Sequence, residues 1–142
     1  MREILFKGKR IDNGEWVEGC YAECNGKTFI GIDISIGIDD IFEVFCTSVI
    51  RWLEVDPETL CQFTGETDKN GKRIWESDVV WLVYDGKEHI YQIVWDNSEL
   101  DFKATNGEEN YESNFEYLLC CDEIEVIGNI FDNPELLQEE HK

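Results

Sequence analysis

Basic residues are scarce in this sequence: 12 lysines and arginines stand against 32 aspartates and glutamates, a formal net charge of −20 over 142 residues. Proteins bind nucleic acid largely by neutralising phosphates with lysine and arginine. We therefore expect no direct binding to DNA or RNA. The negative field instead steers partners with basic surfaces towards the chain. A simpler reading is that the acidity only keeps the protein soluble.

Long apolar runs are also missing. No stretch reaches the roughly 18 residues of a membrane-spanning helix, and Met1–Lys7 is charged and too short in apolar length for a secretory signal. We expect a cytoplasmic protein without membrane contact, whose six cysteines stay reduced. Cys20 and Cys24 have the spacing of one zinc-ligand pair, but the adjacent Cys120 and Cys121 lack the gap of a second. Buried, inert thiols are favoured over a structural zinc site.

Histidine is nearly absent, with His89 inside a predicted strand and His141 close to the last residue. No Ser/His/Asp or Cys/His constellation can be assembled, and no glycine-rich loop has the strand-to-helix context of a phosphate site. Asp78 is the most interesting carboxylate, but acid–base catalysis needs a raised pKa and a second group. Capping of a turn by Asp78 is favoured. We expect no enzyme activity, cofactor or metal; the rival reading is a metal-dependent hydrolase that uses Asp78 or the acidic pair Asp39-Asp40.

Short alternating segments with turn signals between them predict a mainly β fold. The amino-terminal part predicts a three-stranded meander, with strands at Glu3–Arg10, Glu15–Glu23 and Lys27–Ile32. Asn25-Gly26 has the composition of a two-residue hairpin connection. Further strands are predicted at 42–46 and 48–55.

Four isoleucines at positions 32, 34, 36 and 38 alternate with small or acidic residues. Their period of two fits a strand, whereas the two glycines and three aspartates in and around this stretch fit an ordered loop. Both alternatives stay open. An exposed row of this kind would be a pairing or oligomer surface.

The stretch from Cys61 to Val80 has the densest turn chemistry and leads into the strongest strand signal. Asp68–Lys72 predicts a tight turn, because Asn-Gly tolerates positive φ. The uncharged run Val79–Tyr84 predicts a buried strand, with its hairpin partner at Glu88–Asp96. A closing strand follows at 124–130, and proline after a potential N-cap predicts short helical turns at 56–60 and 133–137.

Three segments of the chain resemble the YopX family of phage and prophage proteins. They are Leu5–Gly19, Gln62–Val80 and Glu125–Leu137, in the family's order and together spanning nearly the whole chain. Ser77 departs from the pattern, because the family usually has glycine there. The resemblance implies a mostly β protein with an SH3-like barrel in its carboxyl-terminal part. We therefore expect a β subdomain at residues 1–60 and the SH3-like barrel at 61–142.

The resemblance implies no activity. We expect a phage or prophage accessory protein of the bacterial cytoplasm that is a non-enzymatic protein-binding module and forms a homo-oligomer. Its partner would be a basic host or phage protein. SH3-like barrels often bind peptides in aromatic grooves, which makes Trp75 and Tyr84, with Asp78 nearby, candidate partner-binding residues. The alternatives are the metal-dependent hydrolase and a structural oligomer of the virion.

Overall fold

A computed structural model describes residues 4–34, 49–84, 86–97, 100–105, 115–117 and 121–140. Within these residues the protein is mainly β, with eleven strands, one 3-10 turn and one short helix. The chain divides into two compact units, Glu3–Gln62 and Phe63–Lys142. None of the helices in the described ranges is long and apolar enough to span a membrane.

The first unit is an antiparallel meander whose last strand returns to its first. Its elements are β1 (Phe6–Lys9), β2 (Trp16–Cys24), β3 (Lys27–Ile34), β4 (Val49–Val55), the 3-10 turn Pro57–Thr59 and the start of β5 (Cys61–Thr67). The strand order is β4-β3-β2-β1-β5, which confirms the predicted meander. Asn25 and Gly26 connect β2 to β3 with φ of 52° and 76°, the backbone that a two-residue hairpin favours.

The predicted helical turn at 56–60 is the 3-10 turn. The Asp56 side chain caps it by accepting the Glu58 backbone N–H at 3.0 Å. Next to it, the ends of β1 and β4 meet: Ile11 N–H donates to the Glu54 carbonyl at 3.1 Å, and Asp56 N–H donates to the Lys9 carbonyl at 2.8 Å. These two bonds place the segment after β1 against the end of β4.

The second unit begins within β5 and continues through six more strands and a helix. Its elements are β6 (Arg73–Trp75), β7 (Asp78–Tyr84), β8 (Lys87–Asp96), β9 (Asp101–Thr105), β10 (Phe115–Tyr117), β11 (Glu123–Asn129) and α1 (Glu135–Glu140). The later residues of β5 pair with β6, with an irregular register between Phe63 and Thr67. The other strands form a sheet of order β10-β9-β8-β7-β11, which is open among the described strands rather than a closed barrel.

The same strand order occurs twice. β1 lies between β2 and β5, and β7 lies between β8 and β11. In each case the three strands that follow, β2–β4 and β8–β10, form a meander. The sequence shows no corresponding repeat. β4 and β10 therefore each lie at an edge of the described sheet.

The core of the second unit lies on one face of its sheet. The buried cluster consists of Ile74, Val80, Leu82, Tyr91, Ile93, Phe102 and Ala104. The predicted run of β7 is fully buried at Val79, Val80 and Leu82, while Trp81 is half-buried. The predicted β7–β8 hairpin is confirmed, and its register places Val80 opposite Tyr91.

Several predictions lie partly outside the described residues. Ile32 and Ile34 belong to β3, so the strand alternative holds as far as residue 34. Ile36, Ile38, Asp39-Asp40 and the predicted strand at 42–46 lie outside the described ranges.

The described cysteines, Cys20, Cys24, Cys61 and Cys121, form no disulfide bonds. Cys61 is buried as expected, but Cys20 and Cys24 are exposed. The expectation of buried thiols was wrong for this pair, because both residues lie on the solvent side of β2. The described residues contain no group of three or more potential ligands that could hold a metal ion.

Candidate functional site

The three residues singled out from the sequence are not gathered in one surface. Trp75 is only 4% exposed and packs on Phe63, with ring centroids 5.5 Å apart. Asp78 is buried and its Oδ2 accepts the Trp75 backbone N–H at 2.8 Å, which is the predicted capping contact. Tyr84 is partly exposed at the opposite end of β7, roughly 20 Å from Asp78 at strand geometry. Partner binding by Trp75 and Tyr84 stays a prediction, with little surface available at Trp75.

Three backbone N–H groups donate to the carboxylate of Asp68, which lies in the stretch from Cys61 to Val80. Oδ1 accepts the backbone N–H groups of Asn70 and Lys72, both at 2.9 Å. Oδ2 accepts the Val126 N–H of β11 at 3.0 Å. Burial alone would raise the pKa of Asp68, but these three bonds and the positive charge of Lys72 lower it below its usual value. The ionised carboxylate thus fastens the turn to the sheet.

Two further positions in the family segments, Ser77 and Gly128, also have structural roles. Ser77 occupies the left-handed region with φ of 74°, which explains why glycine is usual at this position. At Gly128, an added Cβ would lie 2.6 Å from Asn133 Oδ1. That same oxygen accepts the Asn129 N–H. None of these contacts leaves a reactive group exposed.

A groove in the first unit has a different character. It has a volume of about 260 Å³ and is lined by Arg10, Ile11, Asp12, Arg51, Trp52, Leu53 and Glu54. Ile11 and Trp52 expose 58% and 46% of their surfaces, and Ile50 beside them exposes 50%. Large apolar side chains clustered at the surface are typical of interaction sites.

The alternation of β4 explains why these apolar side chains are exposed. Leu53 and Val55 point to the core, so Ile50 and Trp52 point to the opposite face. There they lean over Gly31 of β3: a Cβ on this glycine would lie 2.8 Å from Ile50 Cγ2 and 2.9 Å from Trp52 Cζ3. The missing side chain lets both residues lie flat across the sheet.

No described strand pairs with the outer backbone edge of β4 along the groove. The Glu54 carbonyl bonds to Ile11, away from β3, so the N–H and C=O groups of Trp52 and Ile50 point to that same side. Within the described part of the chain, neither residue has a backbone partner on this side. An open strand edge of this kind is a template for pairing with another chain.

Of the two arginines that line the groove, Arg10 forms an ion pair with Asp12 and Arg51 forms none with a described residue. Arg10 binds Asp12 with two bonds, from Nε to Oδ1 at 2.9 Å and from Nη2 to Oδ2 at 2.6 Å. The hydrogen bond from Arg10 lowers the pKa of Asp12. Arg51 is exposed and has no ion pair with any described residue. Arg51 and the adjacent exposed Trp52 are residue types that recognition sites favour.

Trp52 is not among the residues singled out from the sequence, because an aromatic residue in a strand is usually buried. The available signal was the alternation of β4, which puts Trp52 on the face opposite Leu53 and Val55.

Comparison with known proteins identifies the family. The chain matches the family model described as YopX protein over residues 6–138, so the resemblance is confirmed over nearly the whole chain. Among solved structures it is similar to the crystal structure of protein EF1440 from Enterococcus faecalis, with a TM-score of 0.56 and 22% sequence identity. That match covers 96% of this chain and 99% of the other, and at this identity it concerns the fold alone. No curated protein matches the chain.

Proposed function

The chain belongs to the YopX family, and we propose that it is a non-enzymatic protein-binding module that holds a partner chain in the groove along β4. The observation that carries this proposal is the combination of exposed Trp52, Ile50 and Ile11 with the open backbone edge beside them. An apolar surface of this kind can bind a peptide without catalysing a reaction.

The repeated strand order supports an SH3-like architecture as part of the proposal. Five strands in which the first pairs with both the second and the fifth are the arrangement of SH3-like barrels. In the first unit a 3-10 turn also precedes the fifth strand. We accordingly propose that both units are SH3-like, rather than the carboxyl-terminal one alone. Fold analogy by itself does not rank functions, so the groove carries the functional argument.

The cellular setting belongs to the same proposal. The protein acts as a phage or prophage accessory protein in the bacterial cytoplasm, and its partner has a basic surface. The net charge of −20 supports such a partner, because it attracts basic proteins by long-range steering. Salt screens this attraction at separations beyond about 10 Å. Homo-oligomer formation is a separate prediction, which sedimentation velocity over a range of protein concentrations tests directly.

The experiment is selection of a random peptide library on the immobilised protein, followed by affinity measurement of the selected peptides. A tryptophan at an interface hot spot contributes about 2 kcal/mol or more, roughly 30-fold in Kd. We expect Trp52→Ala to weaken the selected peptides by that factor.

The matched control is Trp95→Ala in the second unit. Trp95 is 37% exposed, close to the 46% of Trp52, but lies far from β4 in sequence. Peptides that bind the wild type and Trp95→Ala equally and lose affinity for Trp52→Ala support the groove. Selected peptides that are indifferent to Trp52→Ala, or a library that yields none, would contradict the proposed function.

A further inference from the structure

We infer that the occupant of the groove is an extended peptide that adds to β4 as an antiparallel strand, with an acidic residue opposite Arg51 and apolar residues on either side of it. This inference rests on the proposed function and specifies its ligand. The partner is a separate protein that presents a short apolar–acidic–apolar segment.

The direction of the added strand follows from the pairing already present. Residues 9 to 11 run antiparallel to the end of β4, with bonds at Glu54 and Asp56. The chain then leaves the sheet edge in the turn closed by the Gly14 N–H bond to the Arg10 carbonyl. A peptide continuing the line of Lys9–Ile11 meets the next outward-facing groups of β4, those of Trp52 and then Ile50. Pairing in this way extends the sheet that the protein's own chain begins.

The length of the peptide is limited by the same geometry. Because Glu54 is already paired with Ile11, the open edge of the described strand is Val49–Leu53. At about 3.3 Å per residue this is roughly 17 Å, enough for five peptide residues. The ion pair of Arg10 and Asp12 lines the groove where this edge ends.

The alternation of side chains on β4 sets the preferred sequence. Directly opposite residues of an antiparallel pair share a face and interact. Ile50 and Trp52 point to the outer face and favour apolar partners. Arg51 points to the other face and favours a carboxylate, which a guanidinium can bind with two hydrogen bonds.

A second copy of the chain fits this edge less well. In a two-fold antiparallel pair, placing Trp52 opposite Ile50 sets the two Arg51 side chains opposite each other, and like charges in that position destabilise a sheet. Placing Trp52 opposite its own copy brings Ile50 to Glu54, whose carbonyl already accepts the Ile11 N–H. A register centred on Ile50 overlaps only Val49–Arg51 of the described strand. A different chain avoids all three conflicts.

The acidic residue at the centre is compatible with a basic partner. The net charge of the protein acts at long range and is screened by salt, whereas Arg51 acts at contact. The expected partner therefore carries basic residues around a short segment whose central side chain is acidic.

The test uses a blocked heptapeptide, KTVEVTK, in which glutamate lies opposite Arg51 and the two valines lie opposite Ile50 and Trp52. Backbone amide resonances of ¹⁵N-labelled full-length protein report binding at affinities as weak as about 2 mM. We expect shifts confined to β4 and the segment around Ile11, and slower hydrogen exchange of the Trp52 and Ile50 amides.

Two matched peptides separate the parts of the inference. Replacing the central glutamate by lysine should weaken binding about tenfold, and Arg51→Glu should reverse that preference. Methylating the two valine amides should abolish binding, because these amides donate to the strand edge. A peptide that binds regardless of methylation, or an unchanged preference in Arg51→Glu, would overturn strand addition while the proposed binding module stands.

Hydrogen exchange of the protein without peptide completes the test. The Trp52 and Ile50 amides should exchange rapidly without peptide. Protection that is independent of concentration would mean that the chain covers its own edge, and protection that grows with concentration would mean that a second copy does. Either result overturns the inference, and so does the absence of any shift at β4 with KTVEVTK. A failure of the proposed function would appear separately, as library peptides indifferent to Trp52→Ala.

Discussion

Replacing Asp68 by asparagine should destabilise the second unit by about 3 kcal/mol at neutral pH. The carboxylate accepts three backbone N–H groups, two from its own turn and one from Val126 of β11, and Asp68 is only 6% exposed. Asparagine has one acceptor oxygen, so its amide group must face at least one of these donors. An orphaned N–H costs about 1–3 kcal/mol, and exchanging a charged acceptor for a neutral one costs about 1 kcal/mol per remaining bond.

The penalty of Asp68→Asn should depend on pH. The pKa of Asp68 is lower in the folded protein than the value of about 3.9 expected when unfolded. Its stabilisation is therefore complete above the unfolded pKa and is lost as the pH falls through the folded pKa. Protonated Asp68 resembles asparagine in shape and hydrogen bonding. The difference in stability between the wild type and Asp68→Asn should accordingly shrink as the pH is lowered from 7 towards 3.

Urea unfolding followed by tryptophan fluorescence measures this difference at each pH. Asp122→Asn is the control, because Asp122 is exposed in the same unit and its replacement removes the same charge. Asp122→Asn should change the free energy of unfolding by less than about 0.5 kcal/mol. A penalty below about 1 kcal/mol for Asp68→Asn at pH 7, or one that stays constant down to pH 3, would refute the reasoning.

Three further predictions concern stability and are checked by the same unfolding assay. Ser77→Gly should raise the free energy of unfolding by about 0.5–1 kcal/mol, because it relieves a non-glycine residue of its left-handed conformation but adds unfolded-state entropy. Its counterpart Gly71→Ala, at φ of 80°, should lower the free energy of unfolding by about 1 kcal/mol. A loss of stability in Ser77→Gly would contradict the inferred strain at this residue. Gly128→Ala should cost about 1–3 kcal/mol, since the new methyl meets Asn133 Oδ1, and a neutral effect would mean that Asn133 moves freely. Thr59→Val should cost about 1–3 kcal/mol, because the hydroxyl accepts a backbone N–H of β1 at 2.8 Å; a wild-type value would show that water replaces it.

Local chemistry made much of the fold predictable. Asn25-Gly26 and Asp68–Lys72 were assigned as turns from the conformational freedom of their residues, and both are turns in the structure. The uncharged run of β7 and its hairpin partner follow from composition and alternation. The cap at Asp56 follows from proline after an aspartate. Each of these features depends on residues that are close together in the chain.

Features that depend on distant pairings could not be predicted. Nothing within β5 or β11 indicates that β5 pairs with β1 or that β11 pairs with β7, so the repeated strand order was not foreseen. Asp68 was assigned to a turn, but its bond to Val126 joins residues 58 positions apart. The exposure of Trp52 was not predicted, because it depends on which strand lies at the edge of the sheet, and that is a property of the assembled sheet.

The same strand order occurs twice, but its equivalent edge strands differ in length and sequence. β4 and β10 hold equivalent edge positions in the two strand orders. As described, β4 has seven residues and β10 has three, lengths of roughly 23 and 10 Å. Of these two described strands, β4 is the one long enough for a five-residue peptide, and it carries Arg51 and Trp52. Under the proposed function, Arg51 and Trp52, which lie outside the three family segments, set the sequence of the partner, so family members with other residues at these two positions should bind other sequences.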